Sequence, residues 1–204
     1  MKEKKNIAEL THCSVEEYRE MEKLPFRILL DNVRSMQNVG SILRTSDAFM
    51  VEEVIMAGIT GVPPHKEISK AALGAEESVA WRYVEDAVVE CRRLQEEGWT
   101  VCVLEQAHDS VNLMDFTPVE GKRYVLVVGN EVKGVDQAIV DMADVVLEIP
   151  MRGVKHSLNV AVSAGMAIFR FSLLGNGDGL MLGATPPGLM AEGMGQPGVA
   201  STPG

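Results

Sequence analysis

The chain has 204 residues, 46% of them hydrophobic, enough to bury one substantial core and so to form one main domain. Its 19 basic against 29 acidic residues leave a net charge of −10, which argues against indiscriminate nucleic-acid binding and demands a local basic patch of any nucleic-acid ligand. The longest nearly apolar run, 158–169, contains Asn159 and Ser163 and falls short of the roughly 20 residues a membrane helix needs. The N-terminal MKEKKNIAEL has no apolar stretch behind its charges and does not read as a signal peptide. Cys13, Cys91 and Cys102 show no CxxC spacing, so free thiols in a reducing, cytoplasmic compartment are expected.

In chain order, residues 1–24 read as a leader with one short helix, started by the capping-box spacing of Ser14 and Glu17. A strand at 26–31 follows, then a helix from about Asn38 with Val39, Ile42, Leu43 and Met50 on one face. Glu53 to Ala57 make the second strand, and HKEISKAALG a short helix with Gly74 as a left-handed cap. After a strand at 80–84 comes a helix at 86–97 with Val88, Val89, Cys91 and Leu94 inward. TVCVLE, YVLVV and DVVLE are further strands, with a helix from Val135 to Met142 between the last two. The final helix, from about Ser157 to Leu173, is expected to bury Leu158, Val162, Gly165, Met166 and Phe169. Alternating helices and uninterrupted apolar strands predict an α/β fold with a mainly parallel sheet covered on both faces. Residues 25–174 form the expected folded domain, and 175–204, rich in Gly, Pro and Met, read as a disordered tail.

Three polar segments each leave an apolar run: NVGSILRTSDAF at 38–49, GNEVKG at 129–134 and IPMRGVKHSLNVAVSAG at 149–165. Ligands of open α/β sheets sit beyond the carboxyl ends of the strands, so the three loops should share one cleft. In the first, Asn38 can cap the helix and Gly40 can let a ligand approach beside Arg44. In the second, Gly129 exposes backbone at a strand end ahead of Glu131. GNEVKG lacks GxGxxG spacing, which disfavours a generic dinucleotide-binding protein. In the third, Ser157 and Asn159 fall at a helix start, where N–H groups are free. His12, His65 and His108 have no metal-ligand spacing, so no metal is expected.

In this order and spacing, N-x-G-x-x-x-R, G-N-E-x-x-G and I-P-M-x-G-x-x-x-S-L-N-V resemble the SpoU (TrmH-like) family of RNA ribose 2′-O-methyltransferases, in the SPOUT superfamily, over about residues 26–173. The resemblance implies a deep C-terminal trefoil knot, S-adenosylmethionine bound in the knot, and a homodimer. It implies that Asn38 and Arg44 lie near the target ribose, with Glu131, Ser157 and Asn159 as the polar groups of the second and third motifs. It also implies a methyl donor against Gly129, Ile149, Met151 and Leu158. Lys66, Lys70, Lys133, Arg152 and Lys155, with His156, border the expected cleft and are candidate phosphate contacts. Met50 stands where the family commonly has glycine, and long basic extensions are lacking. The segment LEQAHDSVNL resembles a stretch in relatives that modify tRNA, which favours tRNA over rRNA as substrate. The alternatives are the same reaction on rRNA, or a non-catalytic module that binds S-adenosylmethionine.

Overall fold

The computed structural model describes residues 13–173, with Lys4 and Asn6 before them; the expected tail at 175–204 and His12 lie outside the described residues. The strands are β1 (Leu24–Asp31), β2 (Val51–Ala57), β3 (Trp81–Val84), β4 (Trp99–Leu104), β5 (Val111–Asn112), β6 (Arg123–Val128) and β7 (Val145–Glu148). The helices are α1 (Val15–Glu20), α2 (Met36–Ala48), α3 (Lys66–Ala72), α4 (Ala75–Ser78), α5 (Ala87–Glu96), α6 (Gln137–Met142) and α7 (Val160–Ser172). One sheet runs β3-β2-β1-β6-β4-β7-β5, and every neighbouring pair is parallel.

The continuous apolar runs of β1 and β6 follow from cover on both faces. Alternate residues point to opposite sides of a strand, so Ile28 and Leu30 join one core with α2, α3 and α7, whereas Leu29 joins a second with α5 and α6. Both cores are closed to solvent. Leu30 pairs with Val128, Val103 with Val127 and Leu104 with Leu147, which brings the carboxyl ends of β1, β6, β4 and β7 to one edge.

At the N-terminus the Ser14–Glu17 capping box forms as expected, and Tyr18 of α1 donates from its hydroxyl to Asp47 O. Several local expectations are corrected. Ser35, not Asn38, caps α2, its Oγ accepting the Asn38 N–H at 3.3 Å, and Asn38 lies buried inside the helix. Met50 is not on the helix; it occupies a left-handed turn (φ 55°) before β2. Leu73 at φ 53° ends α3, and Gly74 at φ 94° begins α4. On α5, Val89 faces solvent and Glu90 faces inward, where Arg82 and Arg93 pair with it. The last helix starts at Val160, and the stripe expected inside is turned outward: Val162, Met166 and Phe169 are 55%, 45% and 51% exposed. Val160, Ala164, Ala167, Ile168 and Phe171 are buried instead.

Candidate active site

The loop after β6 is shaped by Asn130. Its Oδ1 accepts the Val132 and Lys133 N–H groups, and its Nδ2 donates to Asn32 O at 2.8 Å beside β1. Glu131 therefore points back at the start of α2. Its Oε1 accepts the Ser35 N–H at 3.0 Å and the Asn38 Nδ2 at 2.9 Å, and its Oε2 accepts the Arg34 N–H at 3.0 Å. Asn159 then donates from Nδ2 to Asn38 Oδ1 at 3.0 Å, while its own Oδ1 caps α7. A chain of side-chain hydrogen bonds, Asn159 to Asn38 to Glu131, thus joins the three polar segments. Burial pushes the Glu131 carboxyl up, but the N–H groups of Arg34, Glu131 itself and Ser35, with the Asn38 amide, outweigh it and hold the group below the usual range.

Beside this chain of bonds lies a pocket of about 860 Å³ at the carboxyl edge of the sheet. Gly129, Glu131, Ile149, Met151, Ser157 and Leu158 all line it. Lys133 and His156 do so as well. Asn38 and Asn159 do not line it; Asn38 holds the Glu131 that does, and Asn159 holds Asn38. Glu105, Gln106 and His108, from the loop after β4, also form the wall and were missed by sequence reasoning. The signals available were a fourth polar run, LEQAH, leaving an apolar strand, and the resemblance of LEQAHDSVNL to relatives that modify tRNA, neither of which points to a pocket wall.

Other expected residues fall elsewhere. Arg44 is exposed on α2, outside the pocket lining, and no hydrogen bond or ion pair among the described residues holds it. Gly40 does not face a ligand: a Cβ there would stand 2.4 Å from Ile68 O, so the glycine serves the close packing of α2 on α3. Ser157 precedes the helix and does not cap it. Lys66 and Lys70 are exposed on α3, and Arg152 and Lys155 are exposed between β7 and α7. Among the described residues no cluster of three or more His, Cys, Asp or Glu side chains could hold a metal, and no helix is long and apolar enough to cross a membrane.

Parallel strands feeding a shared polar edge, with asparagines and a glutamate tied across three loops, define a ligand-binding α/β domain. The model of the SpoU rRNA methylase family matches residues 25–169, and the chain belongs to that family. The 23S rRNA (guanosine-2′-O-)-methyltransferase RlmB of Escherichia coli strain K12 is 34% identical over 146 residues, 71% of this chain and 58% of that protein. RlmB of Shewanella oneidensis is 33% identical over 147 residues, 72% of this chain and 58% of that protein. The chain thus spans less than two thirds of the length of these curated relatives. Among solved structures, the Aquifex (A. aeolicus) TrmH/SpoU tRNA modifying enzyme superposes with a TM-score of 0.70 at 29% identity, covering 79% of this chain and 80% of that one. The AdoMet-bound rRNA methyltransferase of Sinorhizobium meliloti gives 0.67 at 26% identity, over 79% and 60% of the two chains.

Proposed function

We propose that this chain is an RNA 2′-O-ribose methyltransferase that uses S-adenosylmethionine and acts in the cytoplasm, with tRNA as substrate. The observation that carries the reading is the Asn159–Asn38–Glu131 hydrogen-bond chain beside one pocket, because it unites the three family motifs. The pocket fits the cofactor: its volume lies in the range of small-molecule sites, about 300–1,000 Å³. Its wall combines apolar Ile149, Met151 and Leu158 with Gly129 just past the end of β6. Bound there, the cofactor supplies an electrophilic methyl group on a sulfonium.

The protein's own contribution is position and charge. A ribose hydroxyl is a weak nucleophile whose developing negative charge must be stabilised. An arginine holds its proton too firmly to serve as a base, so Arg44 acts as a clamp on the adjoining phosphate and on the nascent alkoxide, the hydroxyl proton leaving to solvent water as the O–methyl bond forms. Because Arg44 lies outside the pocket lining, it must be brought there by a second copy. The outward stripe of Val162, Met166 and Phe169 on α7 gives that copy an apolar seat, and Phe49, just after α2, meets Phe169 edge-on with ring centroids 5.8 Å apart. The homodimer and the family's trefoil knot belong to this proposal. Exposed Lys66, Lys70, Lys133, Arg152 and Lys155 supply the local positive charge that an acidic chain needs to hold RNA.

A second reading, the same reaction on rRNA, is favoured by the 34% identity to RlmB. Transfer of a tritiated methyl from labelled donor to purified tRNA or rRNA separates the two. Label in tRNA alone supports the first reading, and label in rRNA alone the second. Calorimetry against S-adenosylmethionine, ATP and NAD should give heat with the first only. A non-catalytic module would bind the donor yet label neither RNA.

A further inference from the structure

The loop that carries Glu131 leaves the sheet at Gly129 and returns at Val135, and two carboxylates grip it as it returns. β1 and β4 are related to β6 as its two neighbours. At the end of β1, Asp31 Oδ2 accepts the Asp136 N–H at 2.8 Å. Just past β4, Glu105 Oε2 accepts the adjoining Val135 N–H at 3.0 Å, while its Oε1 accepts the Gln106 N–H at 2.9 Å. Asp31 is 2% exposed and belongs to the interior, but Glu105 lines the pocket.

The grip of Glu105 depends on two missing side chains. A Cβ on Gly134 would stand 2.3 Å from Glu105 Oε2, and the residue holds φ +72°. A Cβ on Gly129 would stand 2.2 Å from both Gly134 C and Val135 N. Carboxylate, returning peptide and departing strand end are therefore stacked without a gap. Any shift of the 134–135 peptide moves Gly129 on one side and the short arm bearing Glu131 on the other.

We propose that Glu105 is a positioning residue for the pocket: its carboxylate fixes the 134–135 peptide and through it the backbone at Gly129 and the aim of Glu131. A carboxylate can accept two N–H groups at once, whereas a glutamine amide turns one of its two positions into a donor facing a donor. This inference rests on the methyltransferase reading for its effect on the cofactor, but not for the grip itself.

The test uses the full chain with Glu105→Gln and, as a second route to the same lesion, Gly134→Ala. Amide hydrogen exchange at Val135 should accelerate by about ten-fold in both variants, the size expected when a charge-assisted bond is lost. Affinity for S-adenosylmethionine, read by calorimetry and as KM for the donor, should weaken by about ten-fold. Unchanged Val135 exchange in both variants overturns the proposal. Faster exchange with unaltered donor affinity overturns the role in the pocket. If the native chain binds no S-adenosylmethionine while Val135 exchange still accelerates in Glu105→Gln, the grip stands and the methyltransferase reading falls.

Discussion

Glu131 is held by hydrogen bonds that need its charged form. Its carboxyl titrates below the ordinary glutamate range in the folded chain, so the unfolded chain binds its proton more readily. The resulting stability is present above the unfolded pKa and is lost as pH falls through the lower folded value. Glu131→Gln should therefore flatten the acid limb of a denaturation profile and leave the neutral limb lower. An unaltered acid limb, measured by urea unfolding across pH, would refute this. Arg44 makes the opposite case, a charge that nothing among the described residues engages. Arg44→Ala should abolish methyl transfer while donor affinity, read by calorimetry, stays within about three-fold, because a clamp on RNA leaves the cofactor wall intact.

Gly40 illustrates how an element can be read correctly and its contact misread. A helix from about Asn38 was legible from Val39, Ile42 and Leu43, though it begins at Met36, and the partner that Gly40 admits, the backbone of α3 at Ile68, is a tertiary fact. Gly40→Val should cost about 1–3 kcal/mol by forcing α2 and α3 apart, measured as a lower denaturant midpoint at unchanged slope. The strands were legible because two-sided burial leaves an unbroken apolar run, as in Ile28–Leu30 and Val125–Val128. The facing of α7 was not, because the helix is apolar on two sides and spacing alone cannot choose between them. The smaller set, Val160, Ala164 and Ala167 with Ile168 and Phe171, packs against the sheet. In the site, the types Asn38, Glu131 and Asn159 were legible as motifs, but their mutual bonds span 93 and 121 residues and needed coordinates. Glu105 was missed because its partner is a backbone N–H, which no side-chain pattern records.

For the molecule as a whole, the proposed second copy would cover the outward apolar face of α7. Met166→Glu combined with Phe169→Glu should convert the protein to a single-chain species in sedimentation and remove methyl transfer while leaving the sheet folded. Persistence of a dimer would place the contact elsewhere. The sugar hydroxyl is the acceptor on which the proposed reaction depends. The most direct measurement is incubation of the chain with methyl-labelled S-adenosylmethionine and bulk cellular RNA, then digestion to nucleosides and mass spectrometry. The native chain should give a labelled 2′-O-methylnucleoside and Arg44→Ala none. Label on a nucleobase, or no label in any RNA from a chain that binds the donor, would contradict the proposed reaction.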